Sequence, residues 1–473
     1  MLGKDVMRET DEIDVPESVA PPSVAPSIWD YRRRWLTIGL VLTVVGAAFE
    51  ALAVATILPI TVRELGGLSL YGWAFSAFML TNLIGITIAG GEADRLGPVR
   101  PFVIGVGLFV IGLSVSGLAP TMPVLIAGRS VQGLGAGFIS SISYLAIARG
   151  YPDELKPQML AVISSAWVVP GLVGPVLASG VAAIAGWRWV FLGLAPIITI
   201  AGALAFPALR DLGGGTSGAH NWRRSLAALG LAGGAGLLVS ALAAHGLARN
   251  LGLLVVGLIL GLPALRRLAP AGTLRAAAGV PAAIVTCGLL NMAFFGVDAF
   301  VPLGLTAVRG QTPAVAGLAL TAATLTWTTG AWLQARLASR RGRRQLTRVG
   351  LLVVAAGIAA AAALLLPAVP PLLAPLAWGL AGLGMGLGYS TLSLVVLEGA
   401  ESGQEGTATS ALQMMNVLGS ALGTGIGGAL IAHANAGGAG PGPGITQQDL
   451  AMLGVICVAL LATRRLPGHV RKP

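Results

Sequence analysis

Apolar residues in this chain come in blocks separated by short stretches rich in Gly, Pro and Arg. The blocks are comparable in length to the roughly 20 residues a helix needs to cross a bilayer. Fourteen can be drawn, at 35–60, 72–90, 101–118, 122–148, 157–184, 188–207, 225–246, 250–265, 278–306, 313–338, 346–366, 371–397, 404–432 and 448–463. The second and eighth are short or broken by Gly. The pattern predicts an all-α polytopic membrane protein. Inside the first block, "VVGAAFEALAVATILPI" (44–60) carries one charge, Glu50, near its middle.

Composition agrees. Of 473 residues, 55% are hydrophobic and only 10% charged, with a mean hydropathy of +0.82; a soluble domain is about a quarter charged. The 68 glycines suit membrane helices that approach closely. A net charge of +11 could suggest nucleic acid, but the basic residues sit in the gaps between apolar blocks, so no nucleic-acid partner is expected. Cys287 and Cys457 lie within apolar runs without metal or redox spacing, and both are expected to pack. Residues 1–28 read as a disordered tail, and the first apolar run as an uncleaved signal-anchor.

The distribution of Lys and Arg sets the orientation. With an even number of crossings, both termini share one side. Arg63, Arg188, Arg249 and Arg309 fall in the opposite loops and Arg129 falls within a helix. The other 25 of the 30 basic residues fall on the termini's side, among them Arg32, Arg33, Arg34, Arg340, Arg341, Arg343 and Arg344. That side is therefore expected to be the cytoplasm.

An internal repeat is visible. "AAFEALAVATILPITVRELGG" (47–67) and "AFFGVDAFVPLGLTAVRGQT" (293–312) each place a carboxylate in an apolar helix, then Pro, then Arg. The loops "GGEADRLGPVR" (90–100) and "ARLASRRGRR" (335–344) follow one helix later in each half. A six-helix unit used twice fits this spacing. The expected organisation is a tail at 1–28, a bundle at 29–207, a two-helix insert at 208–275, a second bundle at 276–466 and a tail at 467–473.

Three segments of the first half carry a resemblance to a known family. They are Gly90-x-x-x-Asp94-Arg95-x-Gly97, Arg129-x-x-Gln132-Gly133-x-Gly135-Ala136, and Gly174-Pro175 within "VVPGLVGPVLASG", followed by "GWRWVF" (186–191). At these residues the chain resembles the major facilitator superfamily, and more closely its 14-helix drug:proton antiporters. The chain departs from the family pattern where Pro98 and Val99 replace two basic residues, with Arg100 third. Ser339 stands where an Asp is usual, Pro170 where a Gly is, and Ala178-Ser179 replace paired Gly. The resemblance implies two pseudo-symmetric six-helix bundles around a central cavity. It also implies a role for Arg129 in proton coupling, and for Asp94, Arg95, Gly97 and Arg100 in linking helices and biasing the open states.

Physical chemistry bears on the same residues. A charge at bilayer depth costs a few kcal/mol or more, and a carboxyl escapes that cost by taking a proton. Glu50 is thus the expected proton carrier. Asp298 raises the same question in the second half, as a proton or cation site or as a helix-end charge paired with Arg309. Arg129 cannot be neutralised and needs a partner, for which Glu50 is the candidate. Gly174 and Pro175 suit close approach and bending.

Polar, soft and aromatic residues within apolar helices mark candidate cavity walls: Asn82, Gln132, Trp167, Asn291, Trp327, Trp332, Tyr389, Gln413, Met414, Met415 and Asn416. Trp187 and Trp189 read as interface anchors. The histidines His220, His245, His433 and His469 sit at helix ends or tails, and no metal site is expected. No phosphate-binding glycine loop is present, so ATP is not the expected energy source.

The expected function is proton-coupled export of hydrophobic or amphiphilic small molecules across the cytoplasmic membrane, by a monomer whose only coupling agent is the proton. Lipid or glycolipid export, import, and a membrane-embedded enzyme or receptor are the alternatives.

Overall fold

The computed structural model describes residues 27–467, apart from 32, 153, 211, 214–221, 244–245, 339 and 401–404. Of 94, 157, 160, 161, 164, 405 and 406 it describes the backbone alone. Among the described residues there is no strand. Water cannot serve a backbone group in the hydrocarbon core, so helices that close their own hydrogen bonds are the natural solution.

The chain runs through α1 (Arg34–Leu65), α2 (Tyr71–Leu96), α3 (Val99–Gly117), α4 (Met122–Gly150), α5 (Lys156–Ser165), α6 (Val168–Ile184), α7 (Arg188–Leu192) and α8 (Leu194–Arg210). Then come α9 (Trp222–Ala243), α10 (Leu247–Leu268), α11 (Val280–Asp298), α12 (Val301–Leu303), α13 (Pro313–Leu337), α14 (Arg343–Ala363), α15 (Ala374–Gly399), α16 (Glu405–Ala436) and α17 (Pro441–Ala462). Turns are made where only glycine is comfortable. α1 stops at Gly66 and Gly67, with φ of 71° and 75°, and α2 stops at Gly97, with φ of 79°.

Twelve helical spans among the described residues are long and apolar enough to cross a membrane. They include the two weaker blocks, now α2 and α10. The predicted blocks at 157–184 and 313–338 are not among the twelve. The first is broken at Ala166–Trp167, which leaves α6 as a 17-residue apolar piece. The second is α13, whose middle, "TAATLTWTTG", lowers its apolar character.

Two other boundaries differ from the pattern. The block at 278–306 becomes α11, a break at Ala299–Phe300, α12, and a π-helical turn over Gly304–Val308. The last helix starts at Pro441 rather than 448: the Gly/Pro-rich "PGPG" that reads as a loop supplies its first turn, where Pro lacks no needed hydrogen bond.

Helix pairs α2/α4 and α3/α4 pack through glycine in the first half, and α13/α15 and α14/α15 do so in the second. A methyl group on Gly133 would overlap the Phe78 carbonyl, and one on Gly137 the Asn82 carbonyl. In the second half Gly382 meets the Ala323 carbonyl and Gly386 the Trp327 carbonyl in the same way. Gly135 against Phe109 is matched by Gly384 against Val354. One constant shift along the chain carries Gly133, Gly135 and Gly137 onto Gly382, Gly384 and Gly386. The repeat is thus written in backbone contacts.

Contacts between the halves gather toward the end of the molecule away from the chain termini. The Tyr71 hydroxyl donates to Ala299 O (3.1 Å) and Arg63 Nη2 to Thr306 O (3.1 Å). Ser76 Oγ donates to Ala421 O (3.0 Å), and Gly72 lies on Gly428. On the termini side of α1, residues such as Val41, Val44 and Ala47 are half-buried, whereas Ala53–Pro59 is continuously buried. α9 packs on both α2 and α16, and α10 packs on α9 through Gly234 and Gly261.

Two smaller expectations are corrected. Trp187 is buried, not an interface anchor: its indole N–H donates to Glu64 Oε2 (2.7 Å), while Trp189 is exposed. Cys457 is exposed, and only Cys287 is packed.

The glycine contacts predict a sharp contrast. Gly382→Ala sets a methyl against the Ala323 carbonyl and should destabilise by roughly 1–3 kcal/mol, seen as a melting temperature several degrees lower. Gly107→Ala, where a new Cβ meets nothing within 4 Å, should leave the melting temperature unchanged or slightly raised.

Candidate functional site

In the first bundle, glycine packing brings α4 so close to α2 that a side chain one turn before Gly133 reaches across. That side chain is Arg129. Its Nε donates to Ala74 O (3.2 Å) and its guanidinium lies 4.2 Å from the centre of the Phe78 ring, both on α2. Its Nη1 donates to Glu50 Oε1 of α1 and to Gln132 Oε1 (2.6 Å), one turn on in α4.

Glu50, Arg129 and Gln132 are 1%, 2% and 0% exposed. Two polar atoms of the trio have no hydrogen-bond partner, Glu50 Oε2 and Gln132 Nε2. The expected Glu50–Arg129 contact is therefore present, and Gln132 serves that pair rather than a cavity wall. The chemistry available is an ion pair in an apolar setting with one free carboxylate oxygen.

The second bundle solves the same position differently. The shift that relates the glycines carries Arg129 onto Trp378 and Gln132 onto Ala381. Trp378 Nε1 donates to Asp298 Oδ1 (2.7 Å), and its ring stacks on Phe294 at 5.1 Å. Asp298 does not pair with Arg309, whose Nη2 donates to Val369 O (2.8 Å). Trp327 stands edge-on to Phe294 (5.5 Å) and Tyr389 (5.8 Å).

Beside these rings lies an amide network. Asn291 Nδ2 donates to Asn416 Oδ1 (3.1 Å), and Asn416 Nδ2 donates to the Tyr389 hydroxyl (3.1 Å) and to Gln413 Oε1 (3.3 Å). Cys287 Sγ donates to Asn416 Oδ1 (3.0 Å). Asn291, Trp327, Tyr389, Gln413 and Asn416 are thus brought together. From the other bundle, Tyr144 of α4 reaches Gln413.

The remaining cavity candidates lie elsewhere. Trp167, 46% exposed at the α5–α6 break, lines a cavity of about 150 Å³ with Tyr144, Ser140 and Ala47. Asn82 is half-buried on α2. Met414 belongs to an apolar cluster with Leu80 and Leu83 of α2 and Leu231 of α9, and Trp332 is exposed.

Among the gating candidates, the Asp94 side chain lies outside the described residues, as does Ser339. Arg95 faces Glu92 at 3.6 Å, Gly97 makes the tight turn, and Arg100 is exposed. In the second-half loop, Arg343 grips Glu398 at the end of α15 (2.8 Å). Gly174 lies against Phe49 and Leu52 of α1, and Pro175 lies on Gly317 of α13. The Gly174–Pro175 pair therefore sits where the halves meet. The following segment clasps the C-terminal end of α1, with Trp187 and Arg188 both bonded to Glu64. Of the histidines, His433 is exposed in the last turn of α16, and the other three lie outside the described residues.

Sequence reasoning missed Trp378, Phe78 and Asp449. The first two look like ordinary apolar residues until a partner is seen. Asp449 sat at a predicted helix edge, and the earlier start of α17 carries it two turns inside.

Comparisons with known proteins agree with this architecture. The Major Facilitator Superfamily matches residues 38–424. A probable multidrug-efflux transporter of Mycobacterium tuberculosis is 26% identical over 436 residues, 87% of this chain and 91% of that protein. A multidrug transporter of Bacillus subtilis is 25% identical over 407 residues, 83% of this chain and 74% of that one.

Two solved structures share the fold. A bacterial homologue of the human lysosomal transporter Spinster, in an inward-facing and unoccupied conformation, has a TM-score of 0.66 at 16% identity, covering 92% of this chain and 98% of that one. A peptide transporter has 0.66 at 17%, covering 92% and 95%. With the family matched over most of its length, on a helical frame whose glycine contacts repeat in two halves, the chain belongs to the Major Facilitator Superfamily and is a multi-pass membrane transporter rather than an enzyme.

Proposed function

We propose that the protein exports hydrophobic or amphiphilic small molecules in exchange for protons, by alternating access, as a monomer with both termini in the cytoplasm. The reading uses fourteen crossings: the twelve long apolar spans together with α5–α6 and α13. These form bundles at 29–207 and 276–466 joined by the insert at 208–275. With contacts between the halves concentrated away from the termini, this arrangement faces the cytoplasm. The efflux names of the two bacterial relatives support the direction of transport and the class of cargo.

The observation that carries the proton reading is the Glu50–Arg129 pair with its unpartnered Glu50 Oε2. A proton arriving on that oxygen cancels the carboxylate charge. Arg129 then keeps the Ala74 carbonyl, the Gln132 amide and the Phe78 ring, so the cation is not stranded. Glu50 takes its proton when the outer end is open and releases it when the inner side is hydrated. Cargo and proton drive one another because they favour different states. The amide and aromatic surface around Asn416, Tyr389 and Trp327 offers cargo both stacking and hydrogen bonding.

The decisive test is export of a lipophilic fluorescent dye from proteoliposomes under an imposed pH gradient. Glu50→Gln is expected to bind dye but to lose gradient-driven export, down to the level of protein-free vesicles. Full gradient-driven export by that variant would refute the assignment.

A second prediction concerns stability. Removing one partner of a buried ion pair costs about 3–5 kcal/mol. Arg129→Gln should show a loss of that order, and adding Glu50→Gln should recover most of it. Denaturation of the single and double variants checks the rescue.

A further inference from the structure

Asp449 has no place in the scheme above, and its surroundings are unusual for an acid. It is 2% exposed, and its Oδ1 has no hydrogen-bond partner. It lines a cavity of about 20 Å³, walled otherwise by apolar residues that include Val297, Phe300, Leu305, Leu364 and Ile445. That space holds one water at most.

The residue before it locks the position. Gln448 Nε2 donates to Gly296 O (3.1 Å) of α11 and to Gly423 O (3.0 Å) of α16, so α17 cannot turn Asp449 out toward the surface. We propose that Asp449 is a second proton-binding site, filled while the halves are closed at the end remote from the termini.

The charged groups nearby are all engaged with other partners or distant. On α11, Asp298 accepts the Trp378 indole N–H. Beyond the π turn, Arg309 donates to Val369 O (2.8 Å), and on α1, Arg63 donates to Thr306 O (3.1 Å). Arg343, Arg344 and Arg348 of α14 lie at its opposite end, as do Arg464 and Arg465 after α17. On α16, Glu405 and His433 occupy the first and last turns. Tyr71 of α2 is bonded to Ala299 O. Among the described residues no cation meets Asp449. An ionised carboxylate without partner in an apolar pocket costs several kcal/mol, and holding a proton removes that cost.

The pocket also borders the seal between the halves. It abuts the break at Ala299–Phe300 and the turn at Gly304–Val308. Those segments carry the contacts that seal the halves, Tyr71 to Ala299 and Arg63 to Thr306. When the seal parts, water gains the pocket. The carboxylic acid then gives its proton to that water, leaving a carboxylate and a hydronium ion, and closure reverses the step. The site is thus linked to the closing of the seal, not to Glu50.

Infrared spectroscopy of the full chain in lipid nanodiscs at neutral pH reads the site directly, through the C=O stretch of a protonated carboxyl. Asp449→Asn is expected to delete one such band that survives in Glu50→Gln and Asp298→Asn; Asp449→Glu should shift it and covers the case in which the Asn variant misfolds. An unchanged band set in the Asp449 variants overturns the proposal.

Linkage is read with spin labels at positions 68 and 311, on either side of the seal. In a Glu50→Gln background, the closed fraction should fall with rising pH and stay flat once Asp449→Asn is added. An equal pH response in both also overturns the proposal. Neither measurement involves dye transport and the linkage is read without a titrating Glu50, so the result stands apart from the role of Glu50.

Discussion

An arginine inside a bilayer keeps its charge, and much of the first bundle is shaped by that constraint. Arg129 is tolerated because α4 is pressed onto α2 by Gly133 and Gly137, which puts the Ala74 carbonyl and the Phe78 ring within its reach. It is neutralised because α1 brings Glu50 to the same depth. Gln132 adds a neutral acceptor that does not depend on protonation. In the proposed cycle, where the acid alternates between charged and neutral, this set keeps the cation solvated by protein, so that a buried pair otherwise a liability is tolerated in both forms.

The two halves share a backbone and divide the chemistry. Glycines at equivalent depths hold α2 to α4 and α13 to α15 by the same overlaps. At the equivalent point, however, Trp378 replaces Arg129 and Ala381 replaces Gln132. The second half thereby loses a fixed charge and gains an indole that both stacks on Phe294 and bonds Asp298. Its neighbouring amides are mutually satisfied through Asn416. One bundle holds a buried ion pair and the other an aromatic and amide surface.

Much of this was legible from residue order alone. Apolar block length gave the helical class, and a lone Glu50 opposite a lone Arg129 named the central pair before any coordinates. Other features were hidden for identifiable reasons. Proline and glycine at 441–444 look like a loop because the same residues that end helices also begin them, so Asp449 seemed peripheral. The break at Ala166–Trp167 stands just before Pro170, which has no N–H for the Ala166 carbonyl, a signal easily passed over inside an apolar run. Trp378 cannot be told from a core tryptophan until the glycine register shows that it stands in the place of an arginine. Gln132 read as a cavity residue because a polar side chain in a membrane helix has two destinations, ligand or neighbour, and sequence does not distinguish them.

The placement of α9 has one more effect. By lying on α2 and on α16 at once, with Val239 against Gly425 and Gly236 against Leu80 and Trp73, it binds the halves along one edge like the spine of a book, with α10 as an outer cover. A lipid-dissolved molecule approaching sideways meets a double wall there. On the opposite edge, among the described residues, α6 and α13 face each other across Pro175 and Gly317. The insert therefore makes the two edges of a nearly two-fold frame unequal, one covered twice and the other closed by a single helix pair.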